Sequence, residues 1–168
     1  MTTTCRDAVT QLTAKQLATW HGLPARCTLD DLRHAGVELG DDETAATLGE
    51  AAEPATYRKA KLTGYAEYPM IWLRDAVIVQ LSVDTPDLAD LPRLLATLGP
   101  PTAKLDAWAR TTPTKIPEAE WVWPARGLAL RLSSDRKLPM QLIVFAPTTL
   151  EHYRAALRYA EPPRELAE

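Results

Sequence analysis

The side chains that could do chemistry are few and are spread along the chain. His21, Cys27 and His34 lie within one stretch of fourteen residues, and histidine and cysteine are the residue types that bind zinc. Compact zinc sites use pairs of ligands about two to four residues apart, a spacing that this stretch lacks. His34 falls in the last turn of a predicted helix, where an imidazole suits the negative end of the helix dipole. The sequence therefore predicts no metal site and no cofactor.

Cys27 is the best candidate for a nucleophile, because it directly precedes a predicted helix. A helix N-terminus lowers the pKa of a thiol and so favours the reactive thiolate. However, Asp30 and Asp31 follow in the first turn of that helix, and their charges would oppose a thiolate. The structural alternative is that Cys27 packs against Leu32, and the sequence favours it.

Other catalytic arrangements lack the required spacing. The strained G-x-S-x-G turn of serine hydrolases is absent, and Ser133 and Ser134 lie in a predicted hairpin turn, where serine is common. No glycine-rich phosphate loop occurs. The acids at 41–43 are adjacent in the chain and so diverge, whereas carboxylate catalysis needs two converging groups. We predict no catalytic residue; whether the protein is an enzyme stays open, with a non-catalytic role favoured.

Composition excludes further classes. The 168 residues are 46% hydrophobic and 24% charged, which is typical of a globular domain. The net charge of −3 provides no basic field for nucleic acid. The N-terminus lacks the pattern of a secretory signal, and the longest apolar run, 142–146, is too short to span a bilayer. Two cysteines cannot form a disulfide framework and need not be paired, so we expect a cytoplasmic, reduced location.

The aromatic residues are the most informative set. Five Trp and five Tyr stand against one Phe, and Trp and Tyr suit surfaces that are partly wet and partly apolar. Trp121 and Trp123 share one face of a predicted strand. They lie either on the open face of the sheet or beneath the helices. On the open face they would be near two arginines, and tryptophan with arginine is typical of binding hot spots. The predicted partner-binding residues are Trp72, Trp121, Trp123, Arg126 and Arg131.

Capping patterns predict the helices that position these residues. Thr28 with Asp31 begins a helix that ends near Gly36. A capping box at 13–16 predicts a helix that runs to Trp20, and an alternative start lies at Thr4 with Asp7 three residues on. The segment 41–48 is expected to be a short helix. Further helices are expected over 85–98, which Pro92 interrupts, and from Thr149 to Pro162.

Alternation of apolar residues predicts the strands. The strongest pattern is 76–83, with Val77, Val79, Leu81 and Val83 on one face. Strands are also expected over 55–62 and 70–73. In the second half, 121–123, 128–132 and 139–146 are separated by short turns and predict an antiparallel meander, preceded by a linker after Pro101.

An internal repeat suggests how the chain is divided. Residues 29–40 align without gaps on 88–99, with identities that include both Leu-Gly ends; coincidence in a chain rich in leucine and alanine is the alternative. We predict an α+β fold with short helices packed on one face of an antiparallel sheet, in two related halves. The predicted parts are a helical segment, 1–27, a first half, 28–86, a second half with the C-terminal helix, 87–160, and a flexible tail, 161–168.

The second half resembles a known module. The segment 94–101, Trp121-Val122-Trp123, the strand 128–132 and the strand 142–145 are similar to an SmpA/OmlA-type module, and the β-lactamase inhibitory proteins are similar modules in tandem. The resemblance covers 85–147 and, less fully, 28–84. It implies helices on one face of an antiparallel sheet whose other face or loops bind a protein. The chain departs from the secreted inhibitors by lacking a signal peptide and a disulfide framework, and the resemblance assigns no functional residue.

These observations favour a non-catalytic bacterial binding module, an inhibitor or immunity-type protein whose aromatic and arginine surface occludes another protein. Alanine at Trp121 or Trp123 should then weaken the partner by at least about 2 kcal/mol without unfolding, whereas loss of the fold would assign both residues to the core. The alternative is a small-molecule-binding protein or accessory enzyme of specialised metabolism with a Trp/Tyr-lined pocket. A third hypothesis is a subunit that buries its aromatic surface in a homodimer.

Overall fold

The computed structural model describes residues 4–109 and 116–159. The predicted tail at 161–168 lies outside the described residues, and the last helix, predicted to run to Pro162, ends earlier, at Leu157, because Arg158 is extended. The helices are α1 (Cys5–Thr13), α2 (Leu29–His34), α3 (Leu91–Leu98) and α4 (Leu150–His152), which continues as a π-helical turn, Tyr153–Leu157. The strands are β1 (Glu38–Leu39), β2 (Thr44–Leu48), β3 (Glu53–Lys61), β4 (Met70–Arg74), β5 (Val77–Asp84), β6 (Ala103–Ala109), β7 (Ile116–Trp123), β8 (Leu128–Ser133) and β9 (Pro139–Val144).

The strands of the described residues form one antiparallel sheet, which confirms the α+β class. Its order is β1-β3-β4-β5-β9-β8-β7-β6, and β2 pairs with β3 beside β1. The chain thus builds one meander from β2 to β5 and another from β6 to β9. Their last strands, β5 and β9, pair antiparallel and join them. The predicted meander of the second half is confirmed, and each meander is preceded by a helix, α2 or α3.

The first face of the sheet, which we call the helix face, carries the main core. Residues of α1, α2 and α3 pack there on alternate residues of the strands, including Leu128, Leu130 and Leu132 of β8, all fully buried. Burial of apolar surface is the main favourable term in folding, at roughly 25 cal/mol per Å². Packing of the helices on this face therefore stabilises the sheet, and other residues cover part of its opposite face.

The opposite face, which we call the second face, is covered in part by the C-terminal segment, residues 150–159. Tyr153, Ala156 and Leu157 pack there on Val122, Ala129, Ile143 and Phe145. The rings of Phe145 and Tyr153 stack with centroids 4.8 Å apart. Gly49 lets the turn after β2 approach this segment, because a Cβ atom at Gly49 would lie 1.9 Å from the carbonyl oxygen of Ala155. The second face is thus covered by the C-terminal segment over only part of its width.

The capping patterns predicted some helix starts correctly and others wrongly. Thr28 and Asp31 form the predicted capping box of α2, and the alternative start at Thr4 with Asp7 is the one that α1 uses. The capping box predicted at 13–16 does not form, because Thr13 ends α1 and its hydroxyl donates to the carbonyl of Thr10; a 3-10 turn, Leu17–Thr19, follows without a side-chain cap. The helix predicted over 41–48 is wrong, since Thr44–Leu48 pairs residue by residue with β3 as strand β2. Pairing with a neighbouring strand here overrides local helix propensity.

Two strand predictions need correction. Val79 is an extra residue in β5, because Trp72 pairs with Gln80 while Leu73 pairs with Ile78. This β-bulge reverses the alternation, so Leu81 packs on the helix face and Val79 on the second face. The expectation that Val77 to Val83 share one face is therefore wrong. The supposed linker after Pro101 contains strand β6, which pairs with β7 along its length.

The two cysteines form a disulfide bond. Cys5 at the start of α1 is linked to Cys27, 22 residues later, and no described cysteine is free. Cys27 is buried in the same cluster as Leu32, in agreement with its predicted packing role. The bond excludes Cys27 as a thiolate nucleophile and ties α1 to the start of α2. The expectation of two reduced cysteines is wrong in this structure.

Candidate functional site

The structure corrects the placement of Trp121 and Trp123. Both side chains lie on the helix face, where Trp123 is 5% exposed and Trp121 is half-buried against the same cluster. The indole N–H of Trp123 donates to the carbonyl of Gly99 over 3.2 Å, and Lys104 Nζ lies 4.4 Å from the Trp121 ring centre. Val122 points to the second face instead. The two indoles therefore belong to the packing beneath the helices and form no open surface.

The other three predicted partner-binding residues divide between the two faces. Arg126 lies in the turn after β7 and donates to the carbonyl of Ala18 over 3.1 Å, on the side of the N-terminal segment. Trp72 packs on the second face with Tyr57 and Tyr159. Trp72 and Trp123 therefore lie on opposite faces of the sheet. Arg131 also reaches the second face, and Trp72 and Arg131 are the two predicted residues that the structure brings together.

Trp72 and Arg131 meet at an open groove of the second face, beyond the end of the C-terminal segment. The groove encloses a cavity of about 270 Å³ and crosses the junction of β5 and β9, where the two meanders meet. Trp108 is 51% exposed there, whereas Trp72 is 2% exposed and forms the floor. The lining residues are Met70, Trp72, Ser82, Asp84, Thr85, Trp108, Glu118, Arg131, Met140, Gln141 and Tyr159.

A buried ion network forms one end of the groove and fastens the C-terminal segment to it. Glu120 is fully buried, and its two carboxylate oxygens accept from Arg131 Nε at 3.3 Å and Arg158 Nε at 2.7 Å. Arg158 also pairs with Glu50 at 3.2 Å, and Arg131 donates to the carbonyl of Tyr159. The two carboxylates and two guanidinium groups compensate one another, so the charge of Arg131 is already balanced inside the protein.

Two further carboxylates face the groove without such compensation. Within 4–109 and 116–159, neither Asp84 nor Glu118 forms an ion pair with a lysine or arginine; Asp84 Oδ1 accepts from the amide of Gln141 over 2.9 Å. Burial raises the pKa of Glu118 above its ordinary value of 4.5, and the nearby charge of Asp84 and Glu120 adds to this while Arg131 opposes it. The groove thus combines aromatic walls with an excess of negative charge.

Sequence reasoning missed most of this groove. Trp108 lies in the stretch interpreted as a linker, so the sequence did not indicate that its strand pairs with the strand that carries Glu118. Tyr159 lines the groove because of the path that the C-terminal segment takes after its π-helical turn. The bias toward Trp and Tyr did not indicate which indoles line the groove, because strand phase alone could not show the face on which each ring lies.

Metal and membrane criteria give simple results for the described part of the chain. No group of three or more His, Cys, Asp or Glu side chains is arranged to hold a metal ion there. None of the helices in that part is both long and apolar enough to cross a bilayer. Comparison of the chain with protein-family models, curated proteins and solved structures gave no match. The resemblance to SmpA/OmlA-type modules therefore stays a prediction.

Proposed function

We propose that this protein is a non-catalytic binding protein that docks another protein on the groove of its second face, as an inhibitor or immunity-type module. The observation that carries the proposal is the half-exposed Trp108, which lines one groove together with the buried Trp72 in a part of the second face that residues 150–159 do not cover. Indole rings at an open concavity are typical of binding hot spots, because they bury a large area with little loss of conformational freedom.

The shape of the groove favours a protein over a small molecule. Small-molecule sites are usually clefts of about 300–1,000 Å³ that surround most of the ligand, whereas this cavity of about 270 Å³ is open to solvent along the sheet. A cavity of that size suits one or two side chains that project from a larger surface. The carboxylates of Asp84 and Glu118, which both line the groove, keep a small cationic ligand as the second candidate, which would make the protein a small-molecule-binding protein or accessory enzyme.

The cellular compartment of the protein is a further part of this proposal. The predicted cytoplasmic location stays a prediction, and the Cys5–Cys27 disulfide weighs against it because disulfides persist in oxidising compartments. Rapid alkylation of the protein in its source cells, followed by mass spectrometry, distinguishes the two. Two alkylated cysteines would indicate a reducing compartment, and none would indicate an oxidising one.

The docking proposal is tested by capture with matched variants. The wild type, Trp108→Ala and Tyr68→Ala are immobilised at equal density and exposed to lysate of the source cells. Tyr68 is 55% exposed and lines a different cavity beside β1, so its loss is the control. We expect one protein to be retained by the wild type and Tyr68→Ala, and to bind Trp108→Ala about 30-fold more weakly, the equivalent of about 2 kcal/mol.

Three outcomes would contradict the proposal. Equal retention by Trp108→Ala would remove the groove from the interface. Retention lost only with Tyr68→Ala would place the interface beside β1. A wild type that retains only its own chain, with dimers seen by light scattering, would favour the homodimer hypothesis.

A further inference from the structure

The charge and shape of the groove indicate what the partner presents to it. We propose that the groove receives an arginine side chain of the partner protein, with the guanidinium group stacked against the half-exposed indole of Trp108 and hydrogen-bonded to Glu118. This inference rests on the proposed function, because it names the chemistry by which the same groove would recognise its partner.

The first step is the charge of the groove. Its charged lining residues are Asp84, Glu118 and Arg131, and the Arg131 guanidinium is bonded to the fully buried Glu120. Asp84 and Glu118 therefore give the groove a net negative charge that no described basic side chain pairs with. A cationic occupant complements this charge, and an anionic occupant would be repelled by both carboxylates.

The second step is the cost of that charge in the free protein. Glu118 is half-buried, and burial together with Asp84 and Glu120 raises its pKa. A carboxylate in such surroundings destabilises the unbound protein, and a cation placed beside it removes the penalty. The ionised form of Glu118 thus lowers the stability of the unbound protein, and a bound cation would restore that stability.

The third step is the choice of arginine over lysine. The groove offers the half-exposed ring of Trp108, while Trp72 is buried in contact with Tyr57 and Tyr159. A planar, weakly hydrated guanidinium stacks on such an exposed ring and still presents several N–H donors to carboxylates. The ammonium of lysine is compact and strongly hydrated, so it gains less from the aromatic walls.

The inference is tested with short peptides, without the natural partner. The peptides are acetyl-Gly-Arg-Gly-amide, the same peptide with lysine, and the same peptide with citrulline, which has the shape of arginine without its charge. Each is titrated at constant ionic strength into the full-length protein labelled with ¹⁵N, and the indole N–H signals are assigned from Trp→Phe variants. We expect the arginine peptide to shift the signal of Trp108 and to leave Trp20 and Trp123, on the helix face, unchanged.

Variants supply the matched control. Glu118→Gln removes a groove carboxylate and should weaken the arginine peptide by about tenfold, the loss expected for a charge-assisted hydrogen bond. Glu38→Gln removes the same charge from an exposed side chain of β1, which pairs with Lys61 at 4.0 Å, and should leave the affinity unchanged. Both variants are expected to fold, and their unbound spectra verify this.

Several results would overturn the inference. They are equal binding of the citrulline peptide, tighter binding of the lysine peptide, an unchanged affinity for Glu118→Gln, or no shift of the Trp108 signal. A Trp108 signal that moves with protein concentration alone would assign the groove to a second copy of the chain. If Trp108-dependent capture succeeds but the arginine peptide does not bind, only this inference fails. If the peptide binds but capture does not depend on Trp108, the proposed function fails instead.

Discussion

The buried carboxylate of Glu120 makes a prediction that can be worked through from the structure. Glu120 is 0% exposed and is bonded to Arg131 and Arg158, whose side chains are 11% and 13% exposed. Glu120→Gln keeps the volume of the side chain and removes its charge. Arg131 would then lose its ion-pair partner, and Arg158 would keep its pair with Glu50.

The expected cost follows from the burial of all three groups. Removal of one partner of a buried ion pair costs about 3–5 kcal/mol, because the remaining charges stay desolvated. A domain of this size has about 5–15 kcal/mol of stability, so the variant is expected to remain folded at 25 °C. The loss should be concentrated in the C-terminal segment, because Arg158 and the carbonyl of Tyr159 are held by this network.

Urea unfolding followed by tryptophan fluorescence measures the cost. Glu38→Gln is the control, since its exposed pair with Lys61 should contribute at most about 1 kcal/mol. Hydrogen exchange should show faster exchange of amides in 150–159 for Glu120→Gln alone. If the two variants lost equal stability, or if exchange in 150–159 did not change, the network would not be what fastens this segment.

Three further predictions concern the turn at Gly49, the disulfide and the groove. Gly49→Ala should lower the free energy of unfolding by several kcal/mol more than Gly36→Ala. Both glycines have positive φ, but only a Cβ atom at Gly49 meets backbone atoms. Equal losses of unfolding free energy would contradict this packing. Replacement of Cys5 and Cys27 by serine should lower the free energy of unfolding by about 3 kcal/mol, from the loop that the bond closes, and a midpoint in urea equal to that of the oxidised protein would refute it. Burial raises the pKa of Glu118 in the folded protein above its ordinary value of 4.5, so its contribution to stability is complete below that value and is lost as the pH rises through the raised one. Glu118→Gln should therefore gain stability relative to the wild type at a pH above the raised pKa and lose that gain in acid; a difference that does not vary with pH would contradict the shift.

Local rules predicted the elements whose stability is local. The capping box of α2 and the three-strand meander β7-β8-β9 depend on neighbouring residues, and both appear as the sequence indicates. The segment 44–48 becomes a strand because β3 lies beside it, and a distant neighbour of this kind leaves no trace in a short window of sequence. The same is true of β6, whose only pairing in the described residues is with β7.

The faces of the sheet were harder to predict than its strands. A single bulge at Val79 reverses the alternation in β5, and strand phase could not reveal that β7 turns Trp121 and Trp123 toward the helices. The groove also requires the C-terminal segment to cross the second face as far as Tyr159, which depends on the network around Glu120. Such long-range contacts follow from the complete fold and from no local pattern.

The docking surface is tested most directly by a photo-crosslinking amino acid, p-benzoylphenylalanine, placed at position 108 and, in a separate variant, at position 68. Irradiation of source cells that express each variant should give a covalent adduct with another protein from position 108 and none from position 68. An adduct from position 68 alone, or an adduct at position 108 with a second copy of the chain, would contradict the account.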